Sequence, residues 1–455
     1  MYAILKTNGT MGISGLDWLW LVLAVVVDLA TIGAAGAANR DQIPQGYPGA
    51  LPLESSTDKT SAQKQEEVKM TDSKPNSLPV PAFAGGTKAI TLTPVVGKPR
   101  REYAEMFIPG EEQLEDGELR VTVLGSGNPW NTRGQASASI LVEVGNPERD
   151  ILVFDLGSGS TANYASLKLP INQLNKVFLT HLHADHMGDL ITLSGSWSKV
   201  GRADGPIYVW GPSGTEPRLG TKHFVEAIEE ALAWDTAAGN GAMNPESMKI
   251  VASEFDFSQT HVVYEVNGVK VTSFPVVHAI SGAVGYRLDF AGLSFAFSGD
   301  TRACWPLVRA CEGVDLLIHE CFPPAAALAA ASGFSIEGAT LALNRAHTSP
   351  TAAGKVLGLV KPRVAGLYHT LLSPQVIQMV FSELGSVYNG PVVQTQDLTV
   401  FNVTKESIVA RQAKQFDQLP PMPGKQRTAF APVPVPPPGW WAEALIPLDN
   451  VKPSA

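Results

Sequence analysis

The chain has 455 residues, 44% of them hydrophobic and 17% charged, which suffices for one large core with appendages. Its net charge of −9 counts against a polyanionic partner, so RNA and DNA are not expected. Three cysteines (Cys304, Cys311 and Cys321) are too few and too irregularly spaced for a disulfide framework or a thiolate metal site.

The first predicted element is the apolar run at residues 16–38 (LDWLWLVLAVVVDLATIGAAGAA), interrupted only by Asp17 and Asp28 and preceded by Lys6. Its length nearly spans a bilayer, and Ala35-Gly36-Ala37 has the small-x-small form that signal peptidase accepts. Residues 1–38 therefore read as a signal peptide or membrane anchor, which puts the folded domain outside the cytoplasm, exported or tethered. Residues 39–101 are polar, rich in Pro, Ser, Lys and Glu, and lack a sustained apolar period, the composition of a disordered linker.

A catalytic domain is predicted over residues 102–405. Its strands are expected at 119–124, 139–144, 151–156, 176–180, 207–210, 261–266, 269–275, 284–290, 293–298, 316–318 and 363–367. Helical patterns fall at 221–234, 305–311, 349–360 and 374–384. Hairpins followed by strands alternating with helices, twice over, give an α/β fold of two mixed sheets face to face with helices outside. Residues 406–455 form a C-terminal tail whose Pro-rich stretch at 419–441 suits neither a helix nor a central strand.

The strand at 176–180 delivers His181-Leu182-His183-Ala184-Asp185-His186, three of the chain's nine histidines within six residues. Neutral imidazoles with a carboxylate are the ligand set of catalytic zinc. In an extended loop, residues two apart point the same way, so His181 and His183 can grip one ion. The chain then turns, and Asp185 and His186 face a second. One loop cannot complete two coordination shells, so other ligands must come from other strand ends. His278, Asp300, the His319-Glu320 pair and His369 each follow an apolar strand.

These pieces resemble the metallo-β-lactamase superfamily, in its ribonuclease Z-like and arylsulfatase-like branch. The matching segments are LTHLHADHMGD (179–189), FPVVH (274–278), FSGDT (297–301), IHECF (318–322), AHTSP (346–350) and LYH (367–369), in family order. QASASILVEVG (135–145), VWGPSG (209–214), AWDT (233–236) and QDLTVF (396–401) are similar to a bacterial group of guanitoxin-biosynthesis-type metallo-hydrolases. The resemblance implies an αββα sandwich with two zinc ions per chain. It implies His181, His183 and His278 on the first ion, Asp185, His186 and His369 on the second, and Asp300 between them. It also implies catalytic roles for Asp185, Glu320 and His347, the last two as the pair that protonates the leaving group.

The implied reaction is hydrolysis of a small ester, aryl sulfate or phosphodiester. A ribonuclease Z-like tRNA 3′-end endonuclease is the alternative. Such enzymes carry a basic arm, and the stretch read as its counterpart, residues 236–248, has no Lys or Arg. A metal-binding protein without catalysis is the alternative of another class.

Overall fold

Apolar runs rich in β-branched residues fill the middle of the chain, and in the computed structural model they pair into two sheets. The structure describes residues 95–416 except 131, 201, 203–204 and 240–243, together with 439, 440 and 444. The apolar run at 16–38 and most of the predicted linker and tail lie outside the described residues.

In chain order, the first sheet opens with β1 (Val95–Gly97), β2 (Met106–Phe107), β3 (Leu119–Gly125), β4 (Ser139–Val144), β5 (Ile151–Phe154), β6 (Lys176–Phe178), β7 (Ile207–Pro212) and β8 (Ile250–Phe255). The second contains β9 (His261–Val266), β10 (Val269–Pro275), β11 (Val284–Phe290), β12 (Leu293–Phe297), β13 (Leu316–Glu320), β14 (Val364–Tyr368) and β15 (Val392–Gln394). The chain then returns to the first sheet as β16 (Thr399–Val403) and β17 (Ser407–Ala413). Strand order is β1-β17-β16-β3-β4-β5-β6-β7-β8, with β2 on β17, in one sheet and β15-β14-β13-β12-β11-β10-β9 in the other. Both sheets are mixed: β5 to β8 run parallel in one and β12 to β15 in the other.

Strands β3, β4 and β5 are buried at every residue because both faces are covered. Between the sheets, Val121, Ile140, Phe154 and Phe178 meet Tyr286, Phe295 and Ile318. Phe154 is the centre of this layer, 5.1 Å from the Phe178 ring and 5.6 Å from Tyr286. On the outer faces, Val225 and Ile228 of the helix Thr221–Ala231 cover the first sheet. Leu357, Val360, Val380 and Leu384 of two later helices cover the second. The architecture is the αββα sandwich that the strand and helix pattern implies.

Several boundaries differ from the sequence reading. Strand β1 falls within the predicted linker and β17 within the predicted tail, so the folded unit is wider at both ends. The single helix expected at 221–234 is two, Thr221–Ala231 and Ala233–Gly239. Residues 236–248 hold the end of the second of these and a 3-10 turn at Pro245–Met248. Helices Ala325–Ser332 and Ile336–Ala346 were not anticipated. The first (AAALAAAS) is apolar all round and so lacks the periodic contrast that marks a helix face.

Candidate metal centre

The residues singled out by position at strand ends gather at one edge of the sandwich, beyond the C-terminal ends of β5, β6, β10, β12, β13 and β14. Two backbone features allow this. Gly299 adopts φ 57°, and a Cβ there would lie 2.7 Å from the Thr180 Cβ, so only glycine lets Asp300 turn in beside the His181 strand. A Cβ at Gly157 would lie 2.1 Å from the Asp185 carbonyl oxygen, so the β5 loop and the histidine loop touch only through glycine. The turn expected after His183 is a short helix, Ala184–Met187, which carries Asp185 and His186. That turn of helix sends them away from His181 and His183.

Two constellations share Asp300. The first brings together His181, His183, His278 and Asp300; the second brings together Asp185, His186, Asp300 and His369. In the first, His183 Nδ1 lies 3.0 Å from His181 Nε2 and 3.2 Å from His278 Nε2. The opposite ring nitrogens decide what these atoms are. His278 Nδ1 donates to the Ala346 carbonyl oxygen at 2.7 Å, so in the neutral ring Nε2 is a lone pair. The Thr180 hydroxyl donates to Asp155 at 2.7 Å, so His181 Nδ1 donates to Thr180 Oγ1 at 3.0 Å and its Nε2 is also a lone pair. Lone pairs converging on one point suit a cation.

In the second constellation, His186 Nδ1 donates to Asp155 at 2.7 Å. Its buried Nε2 has no hydrogen-bond partner and faces the carboxylates of Asp300 at 3.3 Å and Asp185 at 3.6 Å. His369 Nε2 lies 3.2 Å from Asp185 and 3.4 Å from Asp300. Burial disfavours a charged His186, but Asp300 and Asp155 outweigh it and hold the pKa well above the usual imidazole range. His369 is likewise opposed by burial but lifted by Asp300, Asp185 and Glu320, to about 10. Asp300 is held well below the usual carboxylate range because His369 and His186 overcome its burial. The second constellation therefore favours positive charge among its carboxylates, which suits a divalent cation. His181, by contrast, is pushed well down by burial and by His186.

A third group stands beside these. Glu320 accepts Thr301 N–H at 2.8 Å with one oxygen, and His347 Nδ1 contacts the other. His347 lies between two helices, as C-cap of one, while Ser349 caps the next. The Phe322 ring stacks flat on it, centroids 3.9 Å apart and planes 8° apart. Burial lowers the pKa of His347, but the Glu320 carboxylate raises it further, so the imidazolium is favoured. His319 points elsewhere, its Nδ1 donating to the Glu320 carbonyl oxygen. Asp300 does not cap the helix Trp305–Cys311, whose N-cap is Cys304.

Four site residues escaped the sequence reading: Asp155, Thr180, Phe322 and Tyr368, whose hydroxyl donates to Asp300 at 3.2 Å. Asp155 had a visible signal, a lone acid closing the apolar run ILVFDL. Asp155 at φ 58° and His369 at φ 67° both hold left-handed backbone, which costs a non-glycine residue about 1–2 kcal/mol.

A family model for the beta-lactamase superfamily domain matches residues 153–370. Ribonuclease Z of Mycobacterium avium (strain 104) is 30% identical over 207 residues, 44% of this chain and 69% of that protein. The chain belongs to the metallo-β-lactamase superfamily. Ribonuclease Z of Gloeothece citriformis (strain PCC 7424) is 24% identical over 269 residues, covering 52% of this chain and 80% of that one. Among solved structures, the metallo-beta-lactamase fold protein YhfI from Bacillus subtilis aligns with TM-score 0.48 at 17% identity, over 63% of this chain and all of that one. The chain is a hydrolase of this superfamily with a candidate metal site. Relatives named as ribonucleases run against the expectation, drawn from net charge and from the absence of Lys and Arg in residues 236–248, that nucleic acid is not a partner. The net charge averages over the whole surface and says nothing of the cleft.

Proposed function

We propose that the chain is a zinc-dependent phosphodiesterase with two ions per molecule, His181, His183 and His278 holding the first, Asp185, His186 and His369 the second, and Asp300 both. The donor set supports this: imidazoles and carboxylates, with His181, His186 and His278 each fixed by a bond from the ring nitrogen that faces away from the site. When bound, two such ions supply Lewis acidity and an activated water at neutral pH.

The observation that carries the choice of substrate is the Glu320–His347 pair. An aryl sulfate or activated ester departs without a proton; the alkoxide of a phosphodiester does not. Glu320 fixes Nδ1 of His347 and favours its charged form, leaving Nε2–H to be donated. Phe322, flat against the ring, holds the imidazole in one plane. Asp185 and Asp300 keep negative charge beside the histidines of the second constellation. Such an acid contributes about 10²–10⁴-fold to a reaction with a poor leaving group.

RNA cleavage is the second reading, favoured by the ribonuclease Z relatives and differing only in the size of the diester. The test is turnover of an alkyl phosphodiester, bis(p-nitrophenyl) phosphate, p-nitrophenyl sulfate and a 3′-extended tRNA transcript, each with and without chelator. Chelator-sensitive cleavage of a diester, with the sulfate left nearly untouched, is expected. Turnover of the sulfate alone, or of nothing, would overturn the proposal. Cleavage of the transcript at one position would select the second reading.

A further inference from the structure

His369 is the one histidine in the two constellations that holds a left-handed backbone, at φ 67°. A residue in that conformation stays there only where its surroundings fix it on several sides. Its own N–H donates to the carbonyl oxygen of Ser126 at 2.8 Å, and the next carbonyl, of Thr370, accepts Gln135 Nε2 at 2.8 Å. So the loops after β3 and before β4 hold the β14 end from outside, and something must hold those loops. Asp397, in the turn between β15 and β16, does so. Its Oδ1 accepts the Ser126 N–H at 3.0 Å and hydroxyl at 2.8 Å; its Oδ2 accepts the Ala136 N–H at 2.7 Å and Asn163 Nδ2 at 2.8 Å. Asn163 also donates to the Leu124 carbonyl oxygen at 2.7 Å, closing the network.

We propose that Asp397 is a positioning residue for the second metal ion, fixing His369 through Ser126 and through the loop that carries Gln135. It touches no member of either constellation. Its carboxylate ties lead to the two ends of the β3–β4 connection, directly at Ser126 and Ala136 and through Asn163 to the Leu124 carbonyl oxygen, and from Ser126 to His369. His181 and His278 are oriented independently, by Thr180 and by the Ala346 carbonyl oxygen. Loss of the carboxylate therefore loosens one ion and leaves the other. In Asp397→Asn the amide group that replaces one oxygen presents N–H to donors that need an acceptor, either Ala136 with Asn163 or Ser126, so half of the network fails whichever way it turns.

This rests on the dinuclear reading above, and one experiment separates the two. Metal-free wild type, Asp397→Asn and Gln135→Ala are titrated with cobalt(II), following stoichiometry and the visible spectrum, and each metal-free form is melted. Wild type should take two ions. Asp397→Asn should bind the first with unchanged affinity and the second about 10–100-fold more weakly, the range for losing an outer contact to a ligand. Gln135→Ala, which removes one tie and keeps the Asp397 network, should weaken the same ion by less, and it decides the matter if Asp397→Asn does not fold. Two ions weakened equally, or neither, would overturn the role of Asp397 while leaving the dinuclear site standing. A wild type that takes fewer than two ions would remove both.

Discussion

Replacing Asp155 by Asn should cost the protein its metal while sparing its fold. The Asp155 carboxylate is fully buried and accepts three bonds of 2.7 Å, from the Thr180 amide, the Thr180 hydroxyl and His186 Nδ1. An amide of the same shape can still accept from the Thr180 N–H with its oxygen, but its NH2 then faces His186 Nδ1–H. Two donors cannot share that contact, so the neutral ring of His186 keeps its proton on Nε2 rather than on Nδ1. That closes the lone pair aimed at Asp300 and Asp185. The Thr180 hydroxyl, no longer needed by the carboxylate, is free to donate to His181 Nδ1, which closes His181 Nε2 as well. Outer-shell losses of this kind weaken metal binding about 10–100-fold, and each tenfold is about 1.4 kcal/mol. Burial pushes the Asp155 carboxyl up despite His186, so a neutral isostere does not add a desolvation cost to the metal-free protein. The assay is competition for zinc against a chromophoric chelator, paired with melting of the metal-free forms. Affinity within threefold of wild type would refute the tautomer argument. Collapse of the metal-free fold would make Asp155 a folding residue instead.

His347→Ala should slow an alkyl phosphodiester at least tenfold more than bis(p-nitrophenyl) phosphate with metal content unchanged; equal losses would remove His347 as the acid. Because Glu320 raises the pKa of His347 against burial, the acid form persists to higher pH than in a free imidazole and is lost only as pH rises through that raised value. The rate on the alkyl diester should therefore fall on the alkaline side, and this limb should vanish in His347→Ala. Zinc binding at pH 7 should release about two protons, since neighbouring carboxylates raise the pKa of His186 and His369 and each ligates only when neutral; calorimetry in buffers of differing ionisation enthalpy measures the number, and none would contradict it. Affinity should then weaken as pH falls and strengthen toward pH 10. Gly299→Ala, which forces a Cβ to 2.7 Å from Thr180 in left-handed backbone, should destabilise by about 1–3 kcal/mol and lower zinc content together; an unchanged denaturation midpoint would show that the loop can move. Export or tethering through residues 16–38 should leave a mature chain that begins near Ala38, or an intact chain that fractionates with membranes. A cytoplasmic chain still carrying Met1 would refute that.

The proposed ligand residues were legible because metal chemistry restricts the choice. Few residue types bind zinc, and the His181–His186 cluster, His278, Asp300 and His369 all follow strands apolar enough to recognise. Strands β3, β4 and β9 to β12 were readable for the same reason, as β-branched runs punctuated by turns. What the sequence concealed is relational. Asp155 looks like the end of a strand until the structure shows three donors around it, and Phe322 like a core residue until it is found stacked on His347. Asp397 joins elements more than 200 residues away in sequence, a distance at which no local pattern carries information. Strand β17 was masked by its neighbourhood: SIVARQA mixes polar residues into a stretch that precedes a Pro-rich tail. Its Arg411 is buried only because Glu112 and Asn402 lie beside it.

The most direct test of the account is metal content. Protein stripped with chelator, reloaded with zinc and freed of excess ion should contain two zinc atoms per chain. Asp300→Ala, which removes the carboxylate common to both constellations, should fall below two and lose diester turnover with the lost ion. One ion or none in the wild type, or two retained without Asp300, would contradict the dinuclear centre on which the proposed chemistry depends.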